Sequence, residues 1–253
     1  MKRTALRTRP AAAAALALLL ACWAGGAAGS PRPGGAGPGG VLFIGNSLTA
    51  RNDLPGMVAS LAAGAGLDLP TSAVVADGTN LEDHWTAGRA RGAVARGGWS
   101  VVVMQQGPST APESREHLLR WSAVVAGAAR DAGARPALYM VWPPPGGDWD
   151  RASGSYRLAA EHVDGELLPV GDAIRAALRR DPSLQLLDHD GFHPTPLGTY
   201  LAAVVVVARL GGRSPVGLPR RAGGRISVPV GTARLLQEAA AEAIAGRHKV
   251  GQP

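Results

Sequence analysis

Five runs of apolar or β-branched residues, at 41–44, 72–76, 100–105, 137–142 and 167–170, constrain this chain more than any other feature. Each is short for a buried helix and long enough for a strand covered on both faces. The stretches between them carry helical spacing instead. Leu54, Met57, Val58, Leu61 and Ala62 recur three and four residues apart, and a longer pattern over 113–132 places Leu118, Leu119, Trp121, Val124 and Val125 on one side. Further helices are predicted over 85–97, 156–163, 172–180, 197–210 and 233–245, the fourth with Thr195 as cap and Pro196 at its first position. Alternation of this kind implies an α/β fold with a parallel sheet and right-handed crossovers. Residues 211–229 read as loop, with a short apolar piece at 226–230.

In such sheets ligands collect at the carboxyl ends of the strands, so the polar residues that stop each run matter most. The first run, Val41-Leu42-Phe43-Ile44, stops at Gly45-Asn46-Ser47-Leu48-Thr49. The second runs into Asp77-Gly78-Thr79-Asn80, and the third into Gln105-Gln106-Gly107-Pro108-Ser109. A later loop, Asp188-His189-Asp190-Gly191-Phe192-His193-Pro194, precedes the apolar helix at 197–210. Acyl transfer requires a nucleophile, a base, a group that orients the base, and N–H donors for the oxyanion. Ser47 can serve as nucleophile and His193 as base. Asp190 stands three residues before His193, within reach of its Nδ1, and the backbone N–H groups of Ser47 and Gly78 can face an oxyanion. No G-x-S-x-G occurs, so the nucleophile elbow of the α/β-hydrolases is not the template.

Other readings of the same residues stand beside these. Ser47 could cap the following helix. Asp188, His189, Asp190 and His193 could ligate a metal, although no outlying ligand cluster completes the set, and no cofactor motif is present. Asp83 and His84 fit local capping or pairing. The loop from Trp142 to Trp149 could wall a substrate or simply pack its own tryptophans, and Gln105 and Gln106 could be polar residues closing a strand.

Taken together, Gly45-Asn46-Ser47-Leu48-Thr49, Gly78 and Asp190-Gly191-Phe192-His193-Pro194 resemble, in order and spacing, blocks I, II and V of the SGNH/GDSL hydrolases. The resemblance spans residues 41 to about 210. It implies a three-layer α/β/α sandwich around about five parallel strands, a flavodoxin-like arrangement. It also implies a serine esterase with Ser47, Asp190 and His193 as catalytic triad and Gly78 as an oxyanion donor. Block III departs from the family: Gly-x-Asn-Asp is expected, and Gln105-Gln106-Gly107-Pro108-Ser109 stands there. A glutamine amide is the same donor on a longer arm, so Gln106 is the first substitute for the missing asparagine, Gln105 the second, and Asn80 a further candidate. The substrate expected is a short-chain acyl ester, with O-acetyl groups on carbohydrate foremost. Transfer of the acyl group to a sugar hydroxyl is an alternative, and a cell-envelope carbohydrate-binding module with a decayed site is another.

The start of the chain bears on address. Lys2, Arg3, Arg7 and Arg9 precede an apolar run over 11–20 and then small residues, the three parts of a secretory signal, here residues 1–29. That apolar run is about half the roughly 20 residues needed to span a bilayer. The single cysteine, Cys22, closes Leu19-Leu20-Ala21-Cys22, which resembles a lipobox, so cleavage before Cys22 and a lipid tether to the membrane are the alternative to secretion. Residues 30–40 form a Gly- and Pro-rich linker, 41–247 the hydrolase domain and 248–253 a tail. The formal charge of +7 falls to +3 without the four cationic residues of the signal, and the remaining arginines form no basic stripe. Nucleic acid is therefore not an expected partner, and nothing in the sequence sets an oligomeric state.

Overall fold

A computed structural model describes residues 39–246 apart from 223 and 225, together with Met1. The secretory signal, Cys22, residues 30–38 of the linker and the tail lie outside the described residues. Gly40, expected as the last linker residue, instead opens the first strand.

Five parallel strands, β1 (Gly40–Gly45), β2 (Thr71–Val75), β3 (Trp99–Met104), β4 (Arg135–Tyr139) and β5 (Glu166–Leu168), form one sheet in the order β2-β1-β3-β4-β5. The order follows from the side chains. Val41, Leu42, Phe43 and Ile44 are all buried, as a central strand requires, whereas no residue of β2 is fully buried and it takes an edge. Helices α1 (Ser47–Ala50), α2 (Leu54–Gly64), α3 (Leu81–Thr86), α4 (Arg89–Ala95), α5 (Pro112–Asp131), α6 (Trp149–His162), α7 (Val170–Arg180), α8 (Pro196–Leu210) and α9 (Val230–Ile244) complete the layers. One layer is built from α2, α7, α8 and α9 and the other from α3 to α6, giving the three-layer α/β/α sandwich. A two-residue antiparallel pair, β6 (Arg221–Ala222) with β7 (Ile226–Ser227), lies in the stretch expected to be loop.

Two helices begin four or more residues earlier than the sequence pattern suggests. Asn80 and Asp83 form a capping box that starts α3 at Leu81, before the periodicity of 85–97 is visible. Asp148 accepts the N–H of Arg151 and starts α6 at Trp149, although Gly154 between two serines conceals its first two turns. Conversely, four valines in a row, 204–207, would suit a strand, yet they lie wholly buried within α8 among α2, α7 and α9. Tertiary burial overrides the local propensity there. Thr195 caps α8 through Gly198, as expected.

The strand order fixes where chemistry can occur. From β1 the chain moves outward to β2, then crosses back to β3 on the other side of β1. The connections leaving β1 and β3 therefore diverge to opposite faces and open a crevice at their carboxyl ends. Ser47 is the second residue beyond β1.

Candidate active site

The corner that presents Ser47 is held almost entirely by one glutamine. Asn46 caps α1 by accepting the N–H of Leu48, and its own N–H donates to Gln105 Oε1 at 2.9 Å. The Gln105 amide returns a bond to Asn46 Oδ1 at 2.9 Å and donates to the carbonyl of Gln106 at 2.7 Å, while Thr49 donates its hydroxyl to Oε1 at 2.8 Å. Ser47 is therefore not the cap. It is the first residue of α1, and its backbone N–H has no partner among the described residues. So close is the packing that a Cβ on Gly45 would stand 2.5 Å from both Gln105 Oε1 and Thr49 Oγ1, which requires glycine there.

The loop after β5 and α7 brings in the remaining groups. Ser47 Oγ lies 2.9 Å from His193 Nε2, and His193 Nδ1 lies 2.6 Å from Asp190 Oδ2. The other Asp190 oxygen accepts the N–H groups of Phe192 and His193, both at 2.9 Å. The hydrogen bond from the His193 ring, followed by these two N–H groups, holds the Asp190 carboxyl well below the usual carboxylate range. An ionised carboxylate only accepts, so the proton between the two rests on Nδ1. In the neutral ring Nε2 then carries a bare lone pair toward Ser47, and the serine hydroxyl donates to it. This is the tautomer that a base for Ser47 requires.

The His193 loop is braced from three directions. Trp142 is buried and donates its indole N–H to the carbonyl of Phe192 at 2.9 Å, so it supports the loop from below and is no substrate wall. Asp188 N–H donates to the His193 carbonyl at 2.7 Å, and Gly191 takes a φ of +66° where a Cβ would strike Pro145 at 2.6 Å. Asn52 reaches across from the turn after α1 to the carbonyl of Pro194. None of these supports could be read from spacing alone.

The other sequence candidates separate. Gly78 turns at a φ of +68° with no atom near its missing Cβ, and its N–H has no partner among the described residues. Gln106 is buried with its amide donating to Ser109 Oγ at 3.1 Å, and no hydrogen bond joins it to Ser47 or His193. Asn80 spends its side-chain oxygen capping α3. His189 is turned outward and paired with Asp188 at 2.9 Å, away from the Asp190–His193 pair. Among the described residues no group of three or more His, Cys, Asp and Glu converges as metal ligands would. Asp83 does cap locally. His84 is buried, its Nε2–H shared between the Gly45 carbonyl at 2.8 Å and Thr79 Oγ1 at 2.7 Å. Burial is the chief reason its pKa lies below the ordinary imidazole value.

No protein-family model matches the sequence, and no curated protein matches it. Among solved structures the chain is similar to a protein from Slackia heliotrinireducens assigned provisionally as an SGNH hydrolase, with 28% identity over 69% of this chain and 100% of that one and a TM-score of 0.59. The chain has the SGNH hydrolase fold. A DUF4886 family protein from Bacteroides uniformis shares this SGNH fold at 19% identity, covering 84% of this chain and 96% of that one with a TM-score of 0.69. So does an acetyl-xylooligosaccharide esterase from Geobacillus, at 16% identity, covering 68% of this chain and 94% of that one with a TM-score of 0.54. At such identities these likenesses are of fold.

Proposed function

We propose that this chain is an exported serine esterase that hydrolyses short-chain acyl esters, with O-acetylated carbohydrate as the first substrate class. One observation carries the reading: Ser47 Oγ, His193 and Asp190 stand in a continuous hydrogen-bonded chain of 2.9 and 2.6 Å, at the crevice where this fold binds ligands. In the proposed mechanism His193 Nε2 takes the Ser47 proton as Oγ attacks the ester carbonyl. Asp190 holds the ring in the required tautomer and stabilises the imidazolium that forms. The N–H groups of Ser47 and Gly78 face the oxyanion. His193 then returns the proton to the leaving alcohol, and water, deprotonated by the same ring, releases the acid.

The oxyanion site so assigned has two donors. Gln106, whose amide donates to Ser109, is given no part in it. A missing donor costs about 10²–10³ in rate, so turnover is expected to be modest. The acetyl-xylooligosaccharide esterase among the structural neighbours supports a carbohydrate ester, and the secretory signal supports export. An assembled triad favours turnover over a decayed binding module.

The test is Ser47→Ala in purified protein. Wild type is expected to hydrolyse p-nitrophenyl acetate and to be labelled at Ser47 by a fluorophosphonate, and the variant to do neither. Hydrolysis that survives the substitution overturns the mechanism.

A further inference from the structure

We infer that Asn52 is a positioning residue that holds His193 at hydrogen-bonding distance from Ser47, an inference that rests on the proposed serine mechanism. Asn52 lies in the turn Arg51–Asp53, directly after the helix that Ser47 begins. Its backbone takes a φ of +54° and that of Asp53 a φ of +51°, two successive non-glycine residues in the left-handed region. Backbone strain of this sort persists only where the surroundings enforce it, and it gathers at functional sites.

The surroundings explain both residues. Asp53 accepts the N–H of Gly56 and caps α2, so the chain must turn sharply between α1 and α2. Asparagine tolerates such a φ, and a turn role alone would leave its side chain indifferent. Instead both N–H hydrogens of the amide are committed to the far loop. Nδ2 donates to the Pro194 carbonyl at 2.9 Å and to Thr199 Oγ1 at 2.9 Å, the latter buried in α8. Pro194 follows His193 directly. A closed circuit results: Ser47 through the backbone to Asn52, across to Pro194, back one residue to His193, and through the ring to Ser47. Arg51 adds an ion pair to Asp188 across the same two loops, at 3.7 Å and largely exposed, hence weak. The amide is thus the main direct link between the two halves of the site besides the Ser47–His193 bond itself.

Asn52→Gly tests this, because glycine accepts the left-handed backbone and so removes the tether without straining the turn. The expected result is a fall in kcat of about 100-fold, the scale on which a misplacement of 1 Å acts, with KM within about twofold and fluorophosphonate labelling slowed in parallel. Val125→Ala, in the core of α5 and away from both loops, is expected to lower the melting temperature while leaving kcat unchanged. Crystal structures of wild type and Asn52→Gly give a readout independent of turnover, in which the Ser47–His193 distance is expected to exceed 3.5 Å in the variant. An unchanged distance, or a kcat within twofold of wild type, overturns the inference. A lengthened distance in a protein whose wild type hydrolyses no ester sinks the esterase reading and leaves the positioning role of Asn52 standing.

Discussion

Replacing Gln105 with methionine isolates what the buried amide contributes, because the side chain keeps its length and volume and no cavity is opened. Gln105 accepts from Asn46 N–H and from Thr49, and donates to Asn46 Oδ1 and the Gln106 carbonyl. Three of these partners have other recourse. Asn46 Oδ1 still accepts from Leu48, the Gln106 carbonyl still accepts from Tyr156, and the Thr49 hydroxyl can rotate. The Asn46 N–H cannot move and is left buried without an acceptor, which costs about 1–3 kcal/mol, and the lost bonds add about 1 kcal/mol more. A total of about 2–4 kcal/mol corresponds, at roughly 2–4 °C per kcal/mol for a domain of this size, to a fall in melting temperature of about 4–16 °C. Thermal unfolding monitored by circular dichroism measures it, beside initial rates on p-nitrophenyl acetate, which should drop because the Asn46–Ser47 corner loses its anchor. A shift below about 2 °C with an unchanged kcat would refute the claim that this amide holds the corner.

Two further outcomes are expected. Asp190→Asn places an amide against His193 Nδ1, so the ring is driven to the tautomer protonated on Nε2, which cannot accept from Ser47; kcat should fall by about 10⁴ with little change in KM, read from steady-state kinetics. His84→Gln tests a linkage: the buried, neutral ring has a pKa below the ordinary 6.5, so as pH falls below that value the unfolded chain binds a proton that the folded chain refuses, and stability declines. Denaturant titrations between pH 5 and 7 should show a shallower decline in the variant, and identical slopes would count against the assignment.

The parts of the fold that were legible in the sequence share a physical property. Strands announce themselves as short apolar runs, and the residues that stop those runs mark the sheet's carboxyl edge, so Ser47 and Gly78 could be singled out, while Asp190 and His193 showed by their spacing within one loop. Short helices begun by side-chain caps were less visible: Asn80 and Asp148 start α3 and α6 ahead of any periodicity. Least visible were contacts between segments distant in sequence. Gln105, read as a second-choice oxyanion donor or as a polar residue closing a strand, proved to be the bracket beneath Asn46, and Trp142, in a loop read as a substrate wall or as packing of its own tryptophans, proved to hold the Phe192 carbonyl. Asn52-Asp53 is an ordinary turn pair by composition, and only the folded chain shows where its amide goes.

The separation of 146 residues between Ser47 and His193 also has a kinetic consequence. Closing a loop of that length in one step costs roughly 4 kcal/mol of chain entropy beyond a constant, whereas successive βα pairings divide it into short closures. Stepwise assembly of this kind predicts that the serine is without its base until α8 docks against α2, and the appearance of fluorophosphonate reactivity during refolding would time that docking step.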